Sequence, residues 1–249
     1  MGESLLLGQH GARWPQWLAL TPVRFCLLLI LSLFVCSFVS AANALRLRTL
    51  STEHGLSQVS AADILEDRHG FVWIATQDGL NRFDGYQFRV FRHVAGDSHS
   101  LSDNYVLSLA EDSAGGIWVG TQNGLNRLDP QTMRFTRYAA GSGEGALRDN
   151  VIVALHGTDA VYVSTRRGGI QRFDAQTGRF AAIVGLPGFV DRQKLLHVHD
   201  DGRLIFANDG ELWELDSAEG KARLLLGSGQ TAGSILVGIP RPGGGYAIG

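Results

Sequence analysis

The chain has 249 residues, with 22 basic against 24 acidic side chains, a formal net charge of −2 and 32 glycines. A balance this even, with no long basic stretch, excludes an electrostatic footprint for nucleic acid. The two cysteines, Cys26 and Cys36, lie near the N-terminus, which excludes a disulfide scaffold or a cysteine-built metal site in the rest of the chain.

Residues 1–24 carry Arg13 and Arg24 as their only basic side chains, and Phe25–Val39, FCLLLILSLFVCSFV, is an apolar run. About fifteen apolar residues suit the core of a secretory signal and are short for a membrane span. Small residues follow, and Ala42-x-Ala44 is a cleavage pattern, so residues 1–44 are expected to be a signal peptide. The alternative is an uncleaved signal anchor, because the segment before the apolar run is long. Val35 precedes Cys36, where a lipoprotein signal needs a small residue. Cleavage after Ala44 removes both cysteines and leaves 20 basic against 23 acidic residues. Export, mild acidity and no cysteine point to the periplasm or the cell exterior.

Residues 45–249 are organised by a repeat. FVWIATQDGLNRFD at 71–84 returns at 116–129 as GIWVGTQNGLNRLD, 45 residues on, and a weaker third copy places Gly169 and Asp174 another 45 residues along. Short apolar runs bounded by Gly, Asp and Asn read as strands. A unit of this length with four such runs is the signature of a β-propeller blade. The first copy predicts strands at Ser60–Leu65, Phe71–Ala75, Leu80–Phe83 and Phe88–Phe91. The second predicts Tyr105–Ala110, Ile117–Gly120, Leu125–Leu128 and Arg134–Tyr138. The third predicts Val151–His156, Val161–Ser164, Ile170–Phe173 and Arg179–Val184. A diverged fourth predicts Lys194–His199, Arg203–Ala207, Glu211–Leu215 and Ala222–Leu226. Ser234–Ile239 opens a fifth. The expected fold is therefore all-β, a propeller of four-stranded antiparallel blades at about 56–92, 101–138, 147–184 and 193–226, with a partial blade at 233–249. Four and a half blades make an incomplete ring, so the chain is expected to be the N-terminal part of a longer protein.

Repeated positions call for mechanical roles, since a catalytic residue is needed once and a blade residue in every blade. Asp67 and Asp112, with Gly70 and Gly115, suit the turn between a blade's first two strands. Trp73 and Trp118 suit the gap between neighbouring blades. Asp84, Asp129, Asp174 and Asp216 each precede a hairpin turn.

On these residues the chain resembles the two-component regulator propeller repeat family. The second copy matches through Leu101-Ser102-Asp103-Asn104, Glu111-Asp112, Gly116-Ile117-Trp118-Val119-Gly120-Thr121 and Gly124-Leu125-Asn126-Arg127-Leu128-Asp129. The first matches through Gly55-Leu56-Ser57, Glu66-Asp67, Trp73-Ile74-Ala75-Thr76 and Gly79-Leu80-Asn81-Arg82-Phe83-Asp84-Gly85. The third copy has Tyr162 for Trp, and the fourth lacks the Trp. The resemblance implies the periplasmic sensor of a membrane-bound, homodimeric signalling protein, with a histidine kinase or a GGDEF-type diguanylate cyclase as its output.

No hydrolase, metalloprotease or nucleotide-binding signature is present, so no catalytic residue, metal ligand or cofactor is expected. His197 and His199 share a strand face and read as side chains directed at the central channel. The expected binding face is built by the loops joining strands two and three of each blade: Gln77-Asp78, Gln122-Asn123, Arg166-Arg167 and Asn208-Asp209. Beside them lie the links between blades, His54–Gln58, Ser98–Asn104, Gly143–Asn150 and Pro187–Gln193. Amide, Asp and Arg side chains suit a small polar ligand or an oligosaccharide. Two readings stand, a ligand-sensing propeller and an exported propeller enzyme such as a polysaccharide lyase or glycoside hydrolase. In the first, contact with the membrane runs only through the signal segment or parts of the parent protein beyond this chain.

Overall fold

The computed structural model describes residues 49–157, 159–187 and 193–227, and the backbone of 238–240 and 246–248. The expected signal peptide and most of the fifth unit lie outside the described residues. The rest is all-β apart from a single 3-10 turn at Thr52–His54. Blade 1 is β1 (Ala61–Glu66), β2 (Val72–Thr76), β3 (Gly79–Phe83) and β4 (Phe88–Phe91). Blade 2 is β5 (Val106–Glu111), β6 (Ile117–Thr121), β7 (Gly124–Asp129) and β8 (Arg134–Tyr138). Blade 3 is β9 (Ile152–Gly157), β10 (Val161–Thr165), β11 (Gly169–Asp174) and β12 (Arg179–Ala182). Blade 4 is β13 (Gln193–Val198), β14 (Arg203–Asn208), β15 (Glu211–Asp216) and β16 (Lys221–Leu226). A two-stranded pair follows, β17 (Gly238–Pro240) and β18 (Tyr246–Ile248). Each blade is an antiparallel meander of four strands in sequence order. The blades' first strands lie side by side, β1 by β5, β5 by β9 and β9 by β13.

The core is a set of layers between blades. Trp73, 1% exposed, packs with Ala75, Leu80 and Phe91 of blade 1 against Leu109, Val119, Leu128 and Phe135 of blade 2. Trp118 does the same one layer on, against Ile152, Leu155, Val163 and Phe173 of blade 3. Tyr162 takes the tryptophan's place in the third layer, against Leu195, Leu204 and Phe206. A flat aromatic suits each layer, because it covers much area while losing few rotamers.

The turn aspartates do more than accept backbone bonds. Asp112 Oδ1 accepts from the N–H groups of Ala114 and Gly116. Its Oδ2 accepts from Trp118 Nε1 at 2.8 Å and from Arg127 Nε at 2.7 Å. Asp67 likewise holds the indole of Trp73 at 2.7 Å. One carboxylate thus closes the turn and fixes the orientation of the interlayer tryptophan. The hairpin aspartates behave as Asx-turn residues: Asp84 accepts from Tyr86 and Gln87 N–H, and Asp216 from Ala218 and Glu219 N–H.

The Asn of each G-L-N-R motif is a buried bracket. Asn126 Oδ1 accepts from Ser102 N–H at 2.9 Å, while its Nδ2 donates to Ser102 Oγ. Asn81 holds Ser57 in the same way. In blade 3 the longer Gln171 reaches Arg148 N–H and the Ala146 carbonyl instead. Each bracket ties the segment entering a blade to that blade's third strand.

Every first strand carries one extra residue against its partner, at Ala62, Leu107, Val153 and Leu196. Such bulges locally disrupt the ladder, and side chains of the preceding blade bond to N–H groups of the first strands nearby. Asp63 Oδ2 accepts from Leu109 N–H, and Ser164 Oγ accepts from Leu195 N–H.

Candidate functional site

The β2–β3, β6–β7 and β10–β11 hairpins meet the links between blades on one rim, as the four-strand meander requires. Gly79 N–H donates to the Asn104 carbonyl at 2.7 Å, and Gly124 N–H to that of Asn150 at 2.8 Å. Gln122 N–H donates to the Tyr105 carbonyl, and Arg166 N–H to that of Val151. The rim is therefore held by backbone bonds, and its side chains project from a fixed frame.

The expected site residues differ in their freedom on this rim. Gln122, Asn123, Arg166 and Arg167 are exposed. Gln77 is exposed too and donates to the Tyr105 hydroxyl at 2.9 Å. Asp78 forms a two-pronged ion pair with Arg92, which holds its carboxyl below the usual range. Asp209 is exposed with a φ of 51°, in the left-handed region. Asn208 is buried, its Nδ2 donating to the Pro187 carbonyl at 3.0 Å. It shapes the rim from within rather than facing solvent.

A second concavity runs along the first strands. It encloses about 570 Å³ and is lined by β1, β5, β9 and β13, with Asp63, Ser108, Glu111, His156 and Lys194 as its polar groups. Burial raises the Asp63 pKa, opposed by the N–H groups of Leu109 and Ile64 and by the charge of Lys194. Burial lowers the Lys194 pKa, opposed by Asp63. His156 is pushed down to about 4, by burial first and then by His197. A polar cluster with shifted pKa values in a concavity is a general mark of a binding site. The repeat offers a signal for it: Asp63 stands where blades 2 and 3 have Ser108 and Ala154.

The three inner histidines form a file. The rings of His156 and His197 are 5.7 Å apart, and those of His197 and His199 are 4.9 Å apart. His156 lines the axial concavity, while His199 lines a cleft at the turns. Among the described residues, no three His, Cys, Asp or Glu side chains are grouped to hold a metal.

His156 gives a pH dependence. Its folded pKa lies below the ordinary 6.5, so the folded state resists a proton that the unfolded chain accepts. Its contribution to stability is whole above pH 6.5 and declines as the pH falls towards 4. Urea melts at pH 7 and pH 5 should show that His156→Gln removes part of the loss seen between these pH values. An unchanged difference would refute the assignment.

The comparisons bear on this geometry. The family model described as two component regulator propeller matches residues 100–123, the entry into blade 2 up to its second hairpin. That stretch is similar to one two-component regulator propeller repeat. Histidine kinase P4 of Formosa agariphila is 50% identical over 44 residues, which are 18% of this chain and 3% of the kinase. Among solved structures, the extracellular domain of a putative hybrid two-component system from B. thetaiotaomicron superposes with a TM-score of 0.69. It is 24% identical, over 81% of this propeller chain and 29% of that one. A catalytically inactive virginiamycin B lyase from Staphylococcus aureus superposes with a TM-score of 0.57 at 13% identity, over 74% of this chain and 61% of that one. Likeness at these identities shows a shared propeller fold. The chain spans less than a third of the solved sensor domain and a small fraction of the kinase.

Proposed function

We propose that this chain is part of the exported ligand-sensing propeller of a membrane-bound signalling protein, and that its loop rim reads a small polar ligand or oligosaccharide. The observation that carries this reading is the rim itself. Backbone bonds between hairpins and blade links pre-organise exposed amide and guanidinium groups, and the guanidinium groups of Arg166 and Arg167 have no carboxylate partner among the described residues. Rigid frames of this kind lower the ordering cost of binding. The kinase and sensor-domain relatives support the signalling context. Sensing requires binding and release, so the chain is assigned no catalytic role, and the parent is expected to work as a homodimer in the periplasm.

The test is calorimetric titration of the chain with neutral oligosaccharides. Arg166→Ala with Arg167→Ala should weaken binding about tenfold or more, as expected for lost charge-assisted hydrogen bonds, with an unchanged melting temperature. A ligand held equally well by the double variant would overturn the rim as the site.

A further inference from the structure

The opposite rim carries a different arrangement, independent of the loop face. In blade 2, Trp118 and Arg127 are cross-strand neighbours, and both donate to the Asp112 carboxylate. In blade 3 the corresponding neighbours are Tyr162 and Arg172. Five residues, 112–116, separate β5 from β6 and supply Asp112, whereas only three separate β9, ending at Gly157, from β10, beginning at Val161. Blade 3 thus keeps the two donors and lacks the turn that carries their acceptor. Tyr162 is only 6% exposed. Neither its hydroxyl nor the Arg172 guanidinium bonds to an acceptor among the described residues.

Both side chains line a cleft of about 550 Å³, bounded by Val198 and His199 of blade 4 and by Arg68, Glu111 and Asp112 of the β1–β2 and β5–β6 turns. The volume lies within the range of small-molecule sites, roughly 300–1,000 Å³. Exposed Asp159 and Asp200 stand at its rim. Glu111 and Asp112 are already paired with Arg68 and Arg127, and the four carboxylates together disfavour a multiply charged anion while leaving room for a single charge beside the Arg172 guanidinium.

We propose that this cleft binds a carboxylate-bearing small ligand, whose carboxylate takes the role Asp112 plays in blade 2. The hydroxyl of Tyr162 donates to one carboxylate oxygen and the guanidinium of Arg172 to the other. The phenol in place of the indole suits an exchangeable ligand, because it can rotate its donor towards an acceptor that arrives from solvent. The geometry is the repeat's own, with the acceptor moved from the chain to the ligand.

Saturation-transfer NMR on the full chain tests this with D-galacturonate, its methyl ester and acetate as probes. The acid should bind and the uncharged ester should not. Tighter binding of galacturonate than acetate would show that the sugar hydroxyls are also read, and equal binding would show recognition of the carboxylate alone; either supports the site. Arg172→Gln and Tyr162→Phe should each weaken binding about tenfold, with Arg172→Lys in between because it keeps the charge and loses the fork. The Arg166→Ala, Arg167→Ala variant should bind as the unaltered chain does. Circular dichroism melts establish that each variant is folded, and Tyr162→Phe, which keeps the ring, serves if the arginine variants are not. Equal binding of acid and ester, no binding of either acid, or galacturonate binding unaffected by Arg172→Gln and Tyr162→Phe, would overturn the proposal.

Discussion

Trp118→Ala should destabilise the fold by about 3–5 kcal/mol, the usual range for removing a buried large aromatic. The indole is fully buried, lies 5.4 Å from the Tyr138 ring and 4.7 Å from that of Phe173, and fills the layer between blades 2 and 3. No neighbour can close the space, since Leu125, Val161 and Val163 are fixed in their own strands. Urea denaturation followed by far-UV circular dichroism measures the loss. Trp118→Phe should cost less, as it keeps an aromatic in the layer. A loss below about 1 kcal/mol for Trp118→Ala would refute the layer as the main source of stability here.

Asp112→Ala should cost about 2–4 kcal/mol, because it strips one acceptor from an arginine, an indole and two turn N–H groups at once. The effect also has a pH signature. Burial pushes the Asp112 pKa up, but Arg127, Trp118 and the Gly116 N–H together outweigh it and hold the carboxyl below its usual range. A carboxylate with a depressed folded pKa stabilises the protein above its unfolded pKa near 4 and loses that contribution as the pH falls through the folded value. The variant should therefore show a shallower acid limb in melts between pH 5 and pH 2 than the unaltered chain. An acid limb of the same depth would mean that Asp112 acts through turn geometry alone.

Most of the architecture was legible from one 45-residue period. The blade strands predicted from the sequence lie within one residue of those observed, apart from Arg179–Val184, which ends two residues early at Ala182, before Gly185 with its positive φ. Tryptophan spacing revealed the layers, because the same residue recurs wherever the same gap must be filled. Side-chain partnerships were less legible. The sequence shows G-L-N-R twice, yet the two arginines behave differently. A Cβ at Gly116 would lie 2.3 Å from the Arg127 guanidinium, so glycine there lets Arg127 reach Asp112. Phe71 occupies the matching position in blade 1, and Arg82 lies over its ring at 4.5 Å with its Nε buried and unbonded. A single side chain at the turn decides between an ion pair and a cation–π contact, and periodicity carries no information about it. The axial cluster was missed for a related reason. Asp63, His156 and Lys194 sit on three different blades and are different residue types, so no repeated residue marks them, and only their three-dimensional convergence makes them a group.

The bulges on the inner strands bear on solubility. A blade is an open sheet, and a regular first strand would offer a row of free N–H and C=O groups as a template for any extended segment. The extra residues at Ala62, Leu107, Val153 and Leu196 break that row in every blade, twisting the edge and spoiling its register. In two blades a first-strand N–H near the bulge is also occupied, by Asp63 or Ser164 of the neighbouring layer. Strands crowded around one axis are thereby kept from zipping to each other, and a β-rich chain is protected from edge-to-edge aggregation where its strands are closest.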